Sequence, residues 1–140
     1  MSKAFARWSG SKTRFDVESG SGHQAAADEP PIFGDDTGMR PSEMLLGALG
    51  SCSGVNAVLL LKKFKQRFTE LTVAVEGEQA PDWPKNFTKI DLDFQITWEA
   101  GFSPDPELVA KAIDMACNRY CPVHATLSKG TDISHRTTER

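Results

Sequence analysis

The stretch 42–65 constrains this chain more than any other. Residues Met44, Leu45, Leu46, Leu49, Val55 and Val58 to Leu61 leave it almost no polar face. A helix that is apolar on every side must be covered on every side. In a chain of 140 residues, part of that cover is expected from a second subunit. Pro41 and Ser42 supply a helix start, and Glu43 adds negative charge to the first turn. In the middle, Gly47, Gly50, Ser51, Cys52, Ser53 and Gly54 are all small. Each glycine costs up to about 1 kcal/mol of helix propensity, so something must come close there. Tight packing against another backbone is the plainer reading, and a pocket with Cys52 in its wall the sharper one.

Around this segment the chain alternates between two periods. Residues 3–9 and 13–27 read as strands, joined by a hairpin loop at Ser9 to Thr13 and turned again at Ser19 to Gly22. Residues 28–40 carry prolines, glycines and acids and read as an irregular loop. Leu71, Val73 and Val75 alternate with polar or small residues, and Ile90, Leu92, Phe94, Ile96 and Trp98 do so again after a loop at 81–86. That pair predicts an antiparallel hairpin with one buried face. From Ser103 the spacing becomes helical, with Leu108, Val109, Ala112, Ile113, Ala116 and Cys117 on one side. A short second helix is predicted from Cys121 with Pro122 in its first position, ended by Gly130, and 131–138 reads as a last strand.

Length and composition are those of a single soluble domain, residues 1–140. The net charge of -3 argues against a nucleic-acid surface. No run of roughly 18 uninterrupted apolar residues predicts a membrane span, and the start lacks the apolar core of a secretory signal. The expectation is a cytoplasmic protein with reduced thiols.

Three cysteines are too few for a disulfide framework. Cys121, at the predicted N-cap, would meet helix N–H groups that favour a thiolate. The same position also suits an inert buried cap. Cys52 has no such local support, and Cys117 reads as a core residue. Cys117, Cys121 and His124, with His23 as a fourth group, have the residue types of a zinc site. They lack a C-x2-C knuckle, and no cofactor or metal is expected.

Two segments carry a resemblance. Pro41-Ser42-Glu43-Met44-Leu45-Leu46-Gly47-Ala48-Leu49-Gly50-Ser51-Cys52 resembles the P-x-E-x-L-L-x-A-L-x-x-C helix of the OsmC/Ohr family, the osmotically inducible and organic hydroperoxide resistance proteins. Tyr120-Cys121-Pro122-Val123-His124-Ala125-Thr126-Leu127 resembles the family's C-P-V-x-x-x-L motif. The resemblance implies an α+β fold, an antiparallel sheet with long central helices, intertwined as a homodimer. It implies thiol-dependent reduction of organic hydroperoxides, with Cys52 as the attacking thiolate and Cys121 as the resolving thiol. A cellular dithiol would then reopen the disulfide. It further implies an activating arginine from the first hairpin, for which Arg14 is the candidate, with Lys12 and Arg7 as rivals, and a glutamate that holds it, for which Glu43 is the candidate. The family's G-R-x-G hairpin motif is absent. Glu43 stands one place later than the peroxidases' glutamate, about 100° further round the helix, where it caps the helix or pairs with Arg40. The alternative function is a non-catalytic module that binds a small hydrophobic ligand or senses redox state.

Overall fold

The computed structural model describes residues 1–140. The chain divides into two compact units, Met1–Gly47 and Ala48–Arg140. In the first, β1 (Ala4–Trp8), β2 (Phe15–Ser19) and β3 (Gln24–Ala27) form an antiparallel sheet in that order. Trp8 faces Phe15 across the β1–β2 pair, and the Trp8 indole N–H closes the hairpin onto the Lys12 carbonyl at 2.9 Å. The proline- and glycine-rich loop that follows is organised by Asp28. Its buried carboxylate accepts from the hydroxyls of Thr13 and Thr37 and from the backbone N–H groups of Glu29, Asp35 and Thr37.

Helix α1 (Pro41–Lys63) starts in this unit and supplies its remaining turns to the next. Pro41 occupies the first helical position, where its missing N–H costs nothing. The Glu43 carboxylate accepts the Arg40 backbone N–H at 2.8 Å, one half of a capping box.

The second unit holds β4 (Phe68–Gln79), β5 (Phe87–Trp98), α2 (Pro106–Asn118) and α3 (Pro122–Lys129). The two strands pair antiparallel, Val73 with Phe94 and Leu71 with Ile96. Ala57, Leu60 and Leu61 of α1 meet Ala112 and Ala116 of α2 in the core, and Phe94, Ile96 and Trp98 pack against them. Buried Gln66, just past α1, accepts the Asp105 backbone N–H at 2.8 Å. Asp105 in turn caps α2 by accepting from the N–H groups of Glu107 and Leu108.

The fold is the expected mixed α+β arrangement of antiparallel strands and helices. The C-terminal expectation is corrected: residues 131–138 form no strand. Their polar and small residues lie exposed and no neighbouring strand offers them a ladder, and a strand without a ladder partner has nothing to hold it extended. By length and composition α1 could cross a membrane. Its buried residues, including Ala57 and Leu61, instead serve this unit's core.

Candidate functional site

The packing of α1 determines where the sulfurs lie. A β-carbon added to Gly50 would sit 2.7 Å from Val75 Cγ2, and one on Gly54 would sit 3.4 Å from Val73 Cγ2. The small residues therefore let α1 lie directly on β4, as the packing reading requires. Ser53 is one turn before Ala57, so it continues the face that meets α2. Along that line come the end of α2 with Cys117 and the start of α3 with Cys121.

Cys121 is the N-cap of α3, and its sulfur accepts the His124 backbone N–H at 3.3 Å. The Ser53 hydroxyl donates to the same sulfur at 3.5 Å, across 68 residues of sequence. The Cys52 thiol lies near enough to act on the same sulfur. Asn56 secures the approach, donating to the carbonyls of Cys52 at 3.0 Å and Tyr120 at 3.4 Å. The two cysteines implied by the family motifs are thus brought close together, Cys52 on α1 and Cys121 at the start of α3.

Their environments differ. Cys121 is only 3% exposed. Burial opposes its ionisation, but hydrogen bonds from Ser53, Cys52 and the N–H groups of His124 and Val123 outweigh it, and the thiol sits below its ordinary value. Cys52 is half-buried. Burial pushes its thiol up, against a hydrogen bond from the Val123 N–H, and both the hydrogen bond to Cys121 and the Cys121 negative charge push it further. Cys121, at the N-cap, is thus the sulfur held lower of the two. Cys117 is half-buried, and burial raises its thiol too.

The remaining expected residues lie in the first unit and have local partners. Arg14 pairs with Asp16 at 2.9 Å and donates to the Thr37 carbonyl at 3.2 Å. Its rivals are also engaged, Lys12 with Asp35 at 2.8 Å and Arg7 with Glu18 at 3.1 Å. Glu43 caps its helix, as described, and Arg40 pairs with Asp36 instead. For the zinc alternative, no three His, Cys, Asp or Glu side chains are grouped so as to hold an ion.

Sequence reasoning passed over Ser53 and Asn56. The available signal was a polar pair beside Cys52 in an otherwise apolar helix, where a buried hydroxyl or amide must find a partner. Beside the cap, a groove of 340 Å³ is lined by Leu49, Phe87, Ile90, Leu92, Leu127 and His124, among others.

Known proteins share the fold. Protein YhfA of Escherichia coli K12 is 35% identical over 118 residues, 84% of each chain. A structural-genomics structure, 31% identical, superposes with a TM-score of 0.78 over 96% of this chain and 95% of its own. An organic hydroperoxide resistance protein OsmC from Legionella pneumophila, 15% identical, shares the fold, with a TM-score of 0.64 over 91% of this chain and 88% of its own. The family described as OsmC-like protein matches residues 34–136, the segment that carries both cysteine motifs and the helices joining them, and the chain belongs to that family.

Proposed function

We propose that this protein is a thiol-dependent peroxidase that reduces organic hydroperoxides through Cys52 and Cys121. The carrying observation is the closeness of the two cysteines on separate helices: Ser53, beside Cys52, donates to the Cys121 sulfur, and Asn56 joins the carbonyls of Cys52 and Tyr120. Accessibility supports the division of roles. A peroxide must reach the attacking sulfur, and Cys52 is half-buried whereas Cys121 is nearly sealed. The Cys52 thiolate attacks the terminal peroxide oxygen, the O–O bond breaks, and the alkoxide leaves as an alcohol after taking a proton from solvent. Cys52 is then a sulfenic acid. The Cys121 thiolate attacks that sulfur, the S–O bond breaks, water forms with a second proton, and the pair becomes a disulfide. A cellular dithiol reopens it by exchange.

The apolar groove beside His124 suits the body of an organic hydroperoxide. Arg14, held by Asp16 in this structure, is the candidate cation for the attacking thiolate and departing oxygen, with Glu43 as its candidate acidic partner. Val55 and Leu59, 59% and 61% exposed on α1, form an apolar face suited to a second copy, so the working form is a homodimer. Reduced, free thiols suit a cytoplasmic setting.

The test is peroxide consumption with a dithiol reductant. Cys52→Ser should lose nearly all turnover. Cys121→Ser should complete one oxidation and stall. Parent protein whose thiols both stay free after one equivalent of hydroperoxide would sink the proposal. A second reading, a module for a small hydrophobic ligand, is favoured by a 440 Å³ groove between α1 and β4 lined by Gly50, Gly54, Val55, Leu59 and Leu71, among others. A bound small molecule in the native mass of gently purified protein, without peroxide turnover, would select it.

A further inference from the structure

Ser53 behaves unlike the other serine beside Cys52. A serine inside a helix ordinarily turns its hydroxyl back to a carbonyl about one turn earlier. Ser51 does so, donating to the Ala48 carbonyl at 3.2 Å. Ser53 is fully buried, and it gives its hydroxyl to the Cys121 sulfur instead. Without a sulfur acceptor a buried hydroxyl here would leave a helix position better filled by alanine, and the one sulfur it meets at hydrogen-bond distance is that of Cys121.

We propose that Ser53 is a positioning residue for the disulfide-forming step, holding the Cys121 sulfur as a hydrogen-bond acceptor aimed at Cys52. This rests on the peroxidase reading. In that step the Cys121 thiolate displaces hydroxide from the Cys52 sulfenic acid, so one S–S bond forms as one S–O bond breaks, and the hydroxide becomes water with a proton from solvent. A donor on Cys121 raises the fraction of thiolate without touching the peroxide.

The groups facing Cys121 are few. From α1 come the Ser53 hydroxyl and the Cys52 thiol, and from α3 the N–H groups of Val123 and His124. From α2 comes the Cys117 thiol, which the Ser53 hydroxyl also reaches and which Asp114 acts upon. The His124 imidazole lines the groove shared with Lys89 of β5. Ser53 is thus the one hydroxyl on the sulfur, and its removal should be felt there.

Two measurements test it. The first needs no peroxide. In a Cys52→Ala, Cys117→Ala background only Cys121 titrates, and its thiolate absorbance can be followed against pH. Ser53→Ala should move that titration up by about half to one pH unit, and Ser53→Thr should restore it. In the second, one equivalent of an organic hydroperoxide is added to otherwise unaltered protein near neutral pH. Ser53→Ala should close the disulfide about two- to threefold more slowly, because the loss of thiolate is partly offset by a more nucleophilic sulfur. More Cys52 sulfenic acid should then be caught by a dimedone-type trap. Ser53→Val, which has the shape of the threonine variant without its donor, serves for both measurements if Ser53→Ala does not fold. A folded variant in which Cys121 titrates as in the parent overturns the proposal, as does an unchanged closure rate. If hydroperoxide oxidises no thiol in the parent, the peroxidase reading fails, while the titration still decides whether Ser53 acts on Cys121.

Discussion

Gly50 and Val75 touch so closely that a β-carbon on the glycine would lie 2.7 Å from the valine Cγ2. Valine is stiff at χ1 and gives way poorly. Gly50→Ala should therefore cost about 1 kcal/mol net, overpacking outweighing the gain in helix propensity. Gly47 has nothing within 4 Å of the same construction. Gly47→Ala should gain about 0.5–1 kcal/mol. Urea unfolding distinguishes them, and equal stabilisation by both substitutions would refute close contact at Gly50.

Asp28 should make the first unit acid-sensitive. The Thr37 hydroxyl leads the donors that hold its carboxyl well below the ordinary value of 3.8, against burial, with help from Thr13 and the backbone N–H groups of Thr37 and Glu29. A carboxyl depressed in the folded state contributes stability that is present above its unfolded value. That contribution falls away as pH drops from about 4 toward the folded value. Asp28→Asn should be less stable at neutral pH and should flatten the loss between about pH 4 and 2. Thermal unfolding across that range checks it, and parallel acid limbs would refute it.

Local patterns account for much that was legible in the sequence. The alternation from Ile90 to Trp98 marked β5, Pro122 and Gly130 bracketed α3, and Cys121 fell at its cap because Pro122 suits only a first turn. What was illegible depends on residues far apart in the chain. Thr13 and Thr37 meet on Asp28, so a residue that read as part of an irregular loop is a buried staple. Ser53 reaches Cys121 across 68 residues, and no spacing rule announces that. The pattern at 131–138 suggested a strand, but pairing depends on an available edge, which a single segment cannot reveal.

Cys117 should be dispensable for turnover. Burial raises its thiol, and so do the Cys121 and Asp114 charges, against the Ser53 hydroxyl, and neither family motif includes it. Protonated thiols are poor nucleophiles. Cys117→Ala should keep peroxide consumption within about twofold and cost about 1 kcal/mol or less for a small truncation at a half-buried position. Steady-state rates and urea unfolding check both parts. A tenfold loss of turnover would make Cys117 a working member of the centre.

The first oxidation should be faster without the second cysteine. Burial is the main reason the Cys52 thiol lies above its ordinary value, and Cys121 adds to it twice, through its hydrogen bond and through its negative charge. Cys121→Ser removes the charge and leaves a hydroxyl able to donate to the Cys52 sulfur, so both changes favour the Cys52 thiolate. Because the reactive form is the deprotonated one, the rate of Cys52 oxidation should rise with pH in both proteins, and the rise should come at lower pH in Cys121→Ser. A shift of half a unit would make single-turnover oxidation about threefold faster at neutral pH. Stopped-flow mixing with one equivalent of hydroperoxide, read by the loss of Cys52 thiol, gives the two profiles. If they coincide, the Cys121 sulfur carries no appreciable charge beside Cys52, and the division of labour between an accessible attacking sulfur and an acidic resolving one is lost.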